Sequence, residues 1–259
     1  MSETKPATDS SYESNPFKVI FRGFNKIFEI NPTWSIIIIA AGFFGAGSNF
    51  FPSSGSSSGG NENIAPAVAA VIIIFALLFV VAAVIIGVLY RGAVAYVTVK
   101  TIEGQRVGFK EGVQAAWGKF WTILWIQIVV ALKVLGGLII FIIPGVRAAL
   151  RYQMVLLPLF SENKGSKESM QEVKSLTKNH LIEVFGMVTA AGIIPIIGGL
   201  FNVGGQVVMY PQLKHLKSSG APKPPVHWLN YLGFILMAVF ALLIISLTFL
   251  ILALLATRR

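Results

Sequence analysis

AVAAVIIIFALLFVVAAVIIGVLY, residues 67–90, runs for twenty-four positions without a charged residue. A bilayer-spanning helix needs about 20 predominantly apolar residues, so this stretch reads as a transmembrane helix, with its pattern running on toward Lys100. Composition extends that reading to the whole chain. Of 259 residues, 55% are hydrophobic and 12% charged, and the mean hydropathy is +0.74. A soluble domain carries roughly twice that charged fraction. The expected fold class is therefore all-α, a polytopic transmembrane helical bundle. The net charge of +10 would suggest nucleic acid in a soluble protein. Here Lys and Arg beside anionic headgroups explain it without a nucleic-acid partner.

Working outward, TWSIIIIAAGFFGAGSNFF (33–51) is the preceding span, joined by the Gly/Ser-rich loop PSSGSSSGGNENIAP. A third span reads over 121–143, ended by a helix break at Pro144-Gly145, with a shorter fourth at 146–160. The fifth and sixth read over 181–199 and 200–216, the sixth weakened by Asn202, Gln206 and Pro211. Residues 1–15 read as a disordered cytoplasmic tail and 16–217 as the six-span domain. Residues 218–227, with PKPP, form a stiff linker, and 228–259 hold an additional C-terminal transmembrane helix.

Sixteen Lys and Arg lie in alternate segments: four before Thr33, five between spans two and three, four between four and five, and three after six. The segment between the first two spans has none. All sixteen fall on one side if the N-terminus is cytoplasmic, which leaves Arg147 and Arg151 near the opposite boundary. Seven spans put the terminal TRR outside. Six put Lys214, Lys217 and Lys223 there, so seven is preferred.

Short amphipathic helices precede each pair of spans. In NPFKVIFRGFNKIFEINP (15–32), Phe17, Ile20, Phe21, Phe24, Ile27 and Phe28 share one helical face, opposite Lys18, Arg22 and Lys26. Residues 108–119 and 166–179 repeat the pattern, with Phe109, Val113 and Ala116 in one, and Val173 and Leu176 opposite Lys174 and Lys178 in the other. The chain thus reads as three units of elbow helix plus hairpin, then a seventh helix. Such helices either lie in the membrane interface, basic face to phosphates, or pack on the protein's own loops; one helix can do both.

GQRVGF (104–109), LIIFIIPGV (138–146), PLF with Glu162 (158–162) and MQEVKSLTKNH (170–180) resemble the bacterial YciC-like proteins and the membrane domain of some glycerophosphoryl diester phosphodiesterases. The resemblance covers roughly residues 17–216. It implies a multi-pass protein of the bacterial cytoplasmic (inner) membrane, with no established biochemical activity. The catalytic barrel of those phosphodiesterases has no counterpart here. The chain has three His (180, 215 and 227), one Asp (Asp9) and no Cys, which excludes disulfides, thiolate metal sites and a Cys nucleophile. No catalytic set, metal site or cofactor is expected. GSSSGG (55–60) lacks a neighbouring His or Asp, and the paired glycines of the later spans read as packing positions.

Lys133 is the oddity. It falls near the middle of the third span, where a charge costs at least ~2.5–3.5 kcal/mol on insertion scales. It can snorkel or bond carbonyls at a break near Gly136-Gly137, line a polar cavity with Gln127, Asn202 and Gln206, or meet an anionic lipid or solute beside Arg147 and Arg151. The expected function is a non-enzymatic membrane protein that organises or senses lipids or scaffolds an envelope partner. Its partners are then the bilayer, anionic headgroups and a possible membrane protein. The alternative is a transporter or channel for an anionic or amphipathic solute.

Overall fold

The computed structural model describes residues 12–47, 66–194 and 197–256. The tail before Tyr12, most of the Gly/Ser-rich loop and the terminal TRR lie outside the described residues. Those described form an all-helical fold, with no strand among them.

Helix α1 (Pro16–Ile30) starts where the sequence signals it. Asn15 Oδ1 accepts hydrogen bonds from Phe17 N at 3.0 Å and Lys18 N at 3.4 Å, and Pro16 occupies the first turn. Its buried face is Val19, Ile20, Gly23 and Ile27, packed along α10 (Gly198–Ser219) and α9 (Leu181–Gly192). Phe21 and Phe28, expected on the apolar face, are each 47% exposed. The face is rotated because Gly23 meets Gly204 backbone to backbone, and only that azimuth lets the two axes approach. A Cβ on Gly23 would overlap Gly204 O, and one on Gly204 would sit 2.6 Å from Phe24 N.

Helix α2 (Pro32–Gly47) follows almost at once, then α3 (Pro66–Ile102), thirty-seven residues long. The halves of α3 differ. Residues 71–84 are exposed throughout, while Val88, Ala93, Val97 and Val99 enter the core. Gly104, at φ +76°, ends α3, with Gly104 N bonded to Thr101 O and Gln105 N to Lys100 O. Helix α4 (Phe109–Gly118) turns back along α3, and α5 (Phe120–Ile140) follows, burying Ile123 and Ile126 against the body of the fold. Among the described residues, two helices are long and apolar enough to cross a membrane, Val71–Ile102 and Phe120–Ile140. A soluble protein's core helix would be mostly buried. Here only 6% and 11% of their most apolar stretches are, an exposure in keeping with a membrane.

The region after α5 corrects the sequence reading in three places. The helix break lies at Phe141, whose backbone is extended (φ −160°, ψ 152°), and not at Pro144-Gly145. Pro144 is instead the third residue of α6 (Ile142–Arg151), where a missing N–H costs no intrahelical bond. Gly145 is the contact point of the turn: a Cβ on Gly137 would come within 2.7 Å of Gly145 N. The fourth span is not one helix. After α6 the chain tightens into i→i−3 bonds (Gln153 to Leu150, Val155 to Tyr152, Leu157 to Met154), and α7 (Leu157–Ser161) follows. Pro158, without an N–H, cannot bond back to Met154 and so stops a continuous helix. The fifth span shortens to the twelve residues of α9, about 18 Å, before Pro195 in the sequence.

Helix α8 (Ser166–Thr177) is capped by Glu168, whose Oε2 accepts from Gly165 N at 3.1 Å. It buries Val173 and Leu176 and exposes Lys174 and Lys178. An alternating ion-pair chain ties it to α10. Glu162 pairs with Lys214 at 2.8 Å and with Lys164, Lys164 pairs with Glu172 at 3.1 Å, and Glu172 with Lys217 at 2.8 Å. Burial alone would raise the Glu162 carboxyl, but the hydrogen bonds from Lys164 and Lys214 win and hold it at about 2. Glu172 is lowered by the same balance, with Lys217 and Lys164. A depressed folded-state value stabilises above the ordinary carboxylate range and is lost as pH falls toward 2, because the unfolded chain takes up the proton first. Melting of the detergent-solubilised protein is therefore expected to fall between pH 5 and 2.5, and less steeply in Glu162→Gln. Solvent at the exposed lysines limits the difference to about 1 kcal/mol. Equal slopes would show that the pairs contribute nothing.

A 3-10 turn (Trp228–Tyr231) leads to α11 (Leu232–Ala256), twenty-five residues without a charge. Asn230 Nδ2 donates to Ser14 O at 2.8 Å, and Lys223 pairs with the buried Glu183 at 3.3 Å. The 218–227 segment is thus docked on the start of α9.

Candidate functional site

Helices α6, α9 and α11 enclose a groove of about 450 Å³. Ile142, Ile143, Val146 and Leu150 form one wall and Leu181, Ile182 and Phe185 the other. Phe234 of α11 closes it, its ring centroid 4.5 Å from that of Phe185. The only charged residues on its lining are Arg147 and Lys178. Both are exposed, and among the described residues neither has an acidic partner. The groove thus pairs an acyl-compatible wall with two cations and no compensating carboxylate.

Local sequence explains each cation's position. Arg147 sits on a ten-residue helix whose tight start at Gly137–Gly145 aims it at α9. Lys178 is the residue that ends α8, just before His180 opens α9. The sequence placed these two residues on opposite membrane boundaries. In the structure both line one groove, because α6 packs on α9 next to the end of α8.

Arg147 and Arg151, one turn apart on α6, do not share this groove. Arg151 is half-buried off the groove, its Nε buried without a hydrogen-bond partner and its carbonyl facing Thr177 Oγ1 at 3.5 Å. Lys133 is not on the lining of this groove either. Its ammonium lies 4.7 Å from the centre of the Tyr152 ring, 3.2 Å from the Tyr152 hydroxyl and 3.7 Å from Met170 Sδ on α8. Of the basic residues on α1, Lys18 is exposed near Glu13 at 3.8 Å, Arg22 is exposed, and Lys26 reaches toward Ile102 O at 3.5 Å. Lys174 is exposed on α8 and is not on the groove.

A second cavity, of about 490 Å³, lies between α3, α5, α10 and the 152–156 turns. Gln127, Gln153 and Gln206 line it with Tyr90, Arg91 and Tyr152. Asn202 Oδ1 accepts from Gln153 at 3.1 Å and Gln206 at 3.4 Å, while Gln127 Nε2 is buried without a partner. Two of the three residues expected beside Lys133, Gln127 and Gln206, thus meet here without it. Gln153 and Arg91 were missed, since nothing local marks them. Among the described residues, no three His, Asp or Glu side chains converge.

No family model matches the chain, and neither does any curated protein or solved structure.

Proposed function

We propose that this chain is a non-enzymatic, multi-pass protein of a bacterial inner membrane that holds anionic phospholipid in the α6–α9–α11 groove. Arg147 and Lys178 take the headgroup phosphate, and the isoleucine, leucine and phenylalanine walls take the acyl chains. The observation that carries this reading is two cations, without an acidic partner among the described residues, on the lining of an apolar groove in a fold with exposed apolar helices. A phosphate between two cations gains charge-assisted hydrogen bonds, and chains against the walls lose no apolar contact. The resemblance of 104–109, 138–146 and 170–180 to the YciC-like proteins favours the same compartment, and the alternation of Lys and Arg favours a cytoplasmic N-terminus. The role is then lipid organisation or sensing, or scaffolding of an envelope partner.

Native mass spectra in mild detergent test this. Wild type is expected to retain a phospholipid with an anionic headgroup. Arg147→Ala/Lys178→Ala is expected to lose at least about tenfold in occupancy, the worth of one charge-assisted bond, and Lys174→Ala to lose none. Equal retention in all three would sink the groove.

The second cavity favours another reading, passage of an amphipathic anion past Arg91 and the three glutamines. Vesicles loaded with such a solute would then leak it through wild type and not through Gln127→Leu. Equal leakage would remove that reading.

A further inference from the structure

We propose that the α5–α6 hairpin is a re-entrant wedge: its tip, residues 138–143, enters one leaflet of the bilayer and returns to the same face, with Lys133 and Arg147 at headgroup level. This rests on the membrane reading of the chain and not on lipid occupying the groove.

Three observations carry it. The first is length. Helix α6 has ten residues, about 15 Å, against a hydrocarbon core of about 30 Å, and Arg151 leads directly into the buried residues Met154, Val155 and Leu157. The straight part of the returning limb is therefore about half as long as a crossing needs.

The second is depth. The first part of α5 lies on the body of the fold, where Ile123 and Ile126 are fully buried and Lys133 touches Tyr152 and Met170. After Ile126 no residue of α5 is buried, and its outer flank is exposed before Lys133 as well, at Trp121, Trp125 and Leu132. Phe141 is eight residues past Lys133 and six before Arg147, which places the tip about 9–12 Å beyond both cations at 1.5 Å per residue. Half a hydrocarbon core is about 15 Å.

The third is surface chemistry. Ile139, Ile140, Phe141, Ile142 and Ile143 are 69–85% exposed, and no water-soluble surface sustains such a run. Residues 112–161 contain no Asp or Glu, so the wedge and its shoulders match an anionic leaflet. The close approach of Gly137 to Gly145 keeps the tip narrow. The wedge also removes the cost of Lys133 at mid-bilayer, since Lys133 is at the surface.

The chain has no cysteine, so single cysteines can be labelled without background. Phe141→Cys, at an exposed site, and Leu77→Cys, on the exposed half of α3, would each carry an environment-sensitive fluorophore. The full chain would be reconstituted in phosphatidylglycerol/phosphatidylcholine vesicles with nitroxide lipids at upper-chain or terminal-methyl positions. The expected result is that the Phe141 site is quenched roughly twofold more by the terminal-methyl probe, since a tip about 9–12 Å deep lies nearer the midplane at about 15 Å than the upper chain does. The unlabelled cysteine should resist impermeant maleimide from both faces. Reaction from the face opposite Lys133 would make the hairpin a full crossing and overturn the wedge. Reaction from the near face without quenching would leave the tip in water and overturn it equally. An unquenched label at position 77 would instead overturn the membrane reading itself.

Discussion

Gly23→Ala is expected to lower the melting temperature of the solubilised protein by about 6–12 °C. The methyl group would overlap the carbonyl of Gly204, and the reverse substitution would push against Phe24 N at 2.6 Å and Gly23 C at 2.8 Å. These neighbours are backbone, so no rotamer change can relieve the overlap. The two helices must separate, and with them the cluster of Ile20, Met187, Phe201 and Val208. Overpacking of this kind costs about 3 kcal/mol, and each kcal/mol moves the midpoint of a domain of this size about 2–4 °C. Gly87→Ala is the matched control. No atom lies within 4 Å of its added carbon, and a helical alanine replaces a glycine, so stability should hold or rise by up to about 1 kcal/mol. Equal melting of both variants would show that the α1–α10 crossing is looser than described.

Asn31→Leu is expected to destabilise by about 3 kcal/mol and to expose the loop that ends α3. Asn31 is 3% exposed and joins the α1–α2 corner to residues 101–107. Its Nδ2 donates to Thr101 Oγ1 at 2.9 Å and Gln105 O at 3.1 Å, and its Oδ1 accepts from Val107 N at 2.7 Å. Leucine removes all three bonds and leaves the Val107 N–H and Gln105 C=O without a partner, at about 1–3 kcal/mol each. Asn31→Asp keeps the acceptor and should lose less. Limited trypsin cleavage after the exposed Arg106 reads the local effect, and thermal unfolding reads the global one. Unchanged cleavage in Asn31→Leu would mean that the loop is held by Val107 packing alone.

The sequence read the elements best where the apolar pattern was interrupted by charge. Residues 16–30, 108–119 and 166–179 were expected as short helices, and helices occupy Pro16–Ile30, Phe109–Gly118 and Ser166–Thr177. Their apolar spacing repeats every three or four positions, and Asn15 and Glu168 supply side-chain caps. The pattern could not resolve continuous apolar runs. Residues 146–160 and 181–199 are hydrophobic enough to read as spans, yet hydropathy is blind to whether a helix continues through the residues before Pro158 or ends at Gly192.

The site divides in the same way. Arg147 and Lys178 were each singled out, but as residues of opposite boundaries, because counting charges by segment assumes that every apolar run crosses. Lys133 was singled out for its place mid-span, and what no spacing showed is that its ammonium meets Tyr152 and Met170.

By itself the sequence determined that the chain is helical, that its apolar stretches are long, and that its cations outnumber its acids. Those are local and compositional properties, carried by each residue wherever it folds. The tertiary structure alone decided that α6 stops after ten residues, that Gly23 meets Gly204, and that Arg147 shares a groove with Lys178 thirty-one positions away. Each depends on which backbones can approach one another, a relation between distant segments that no single stretch encodes.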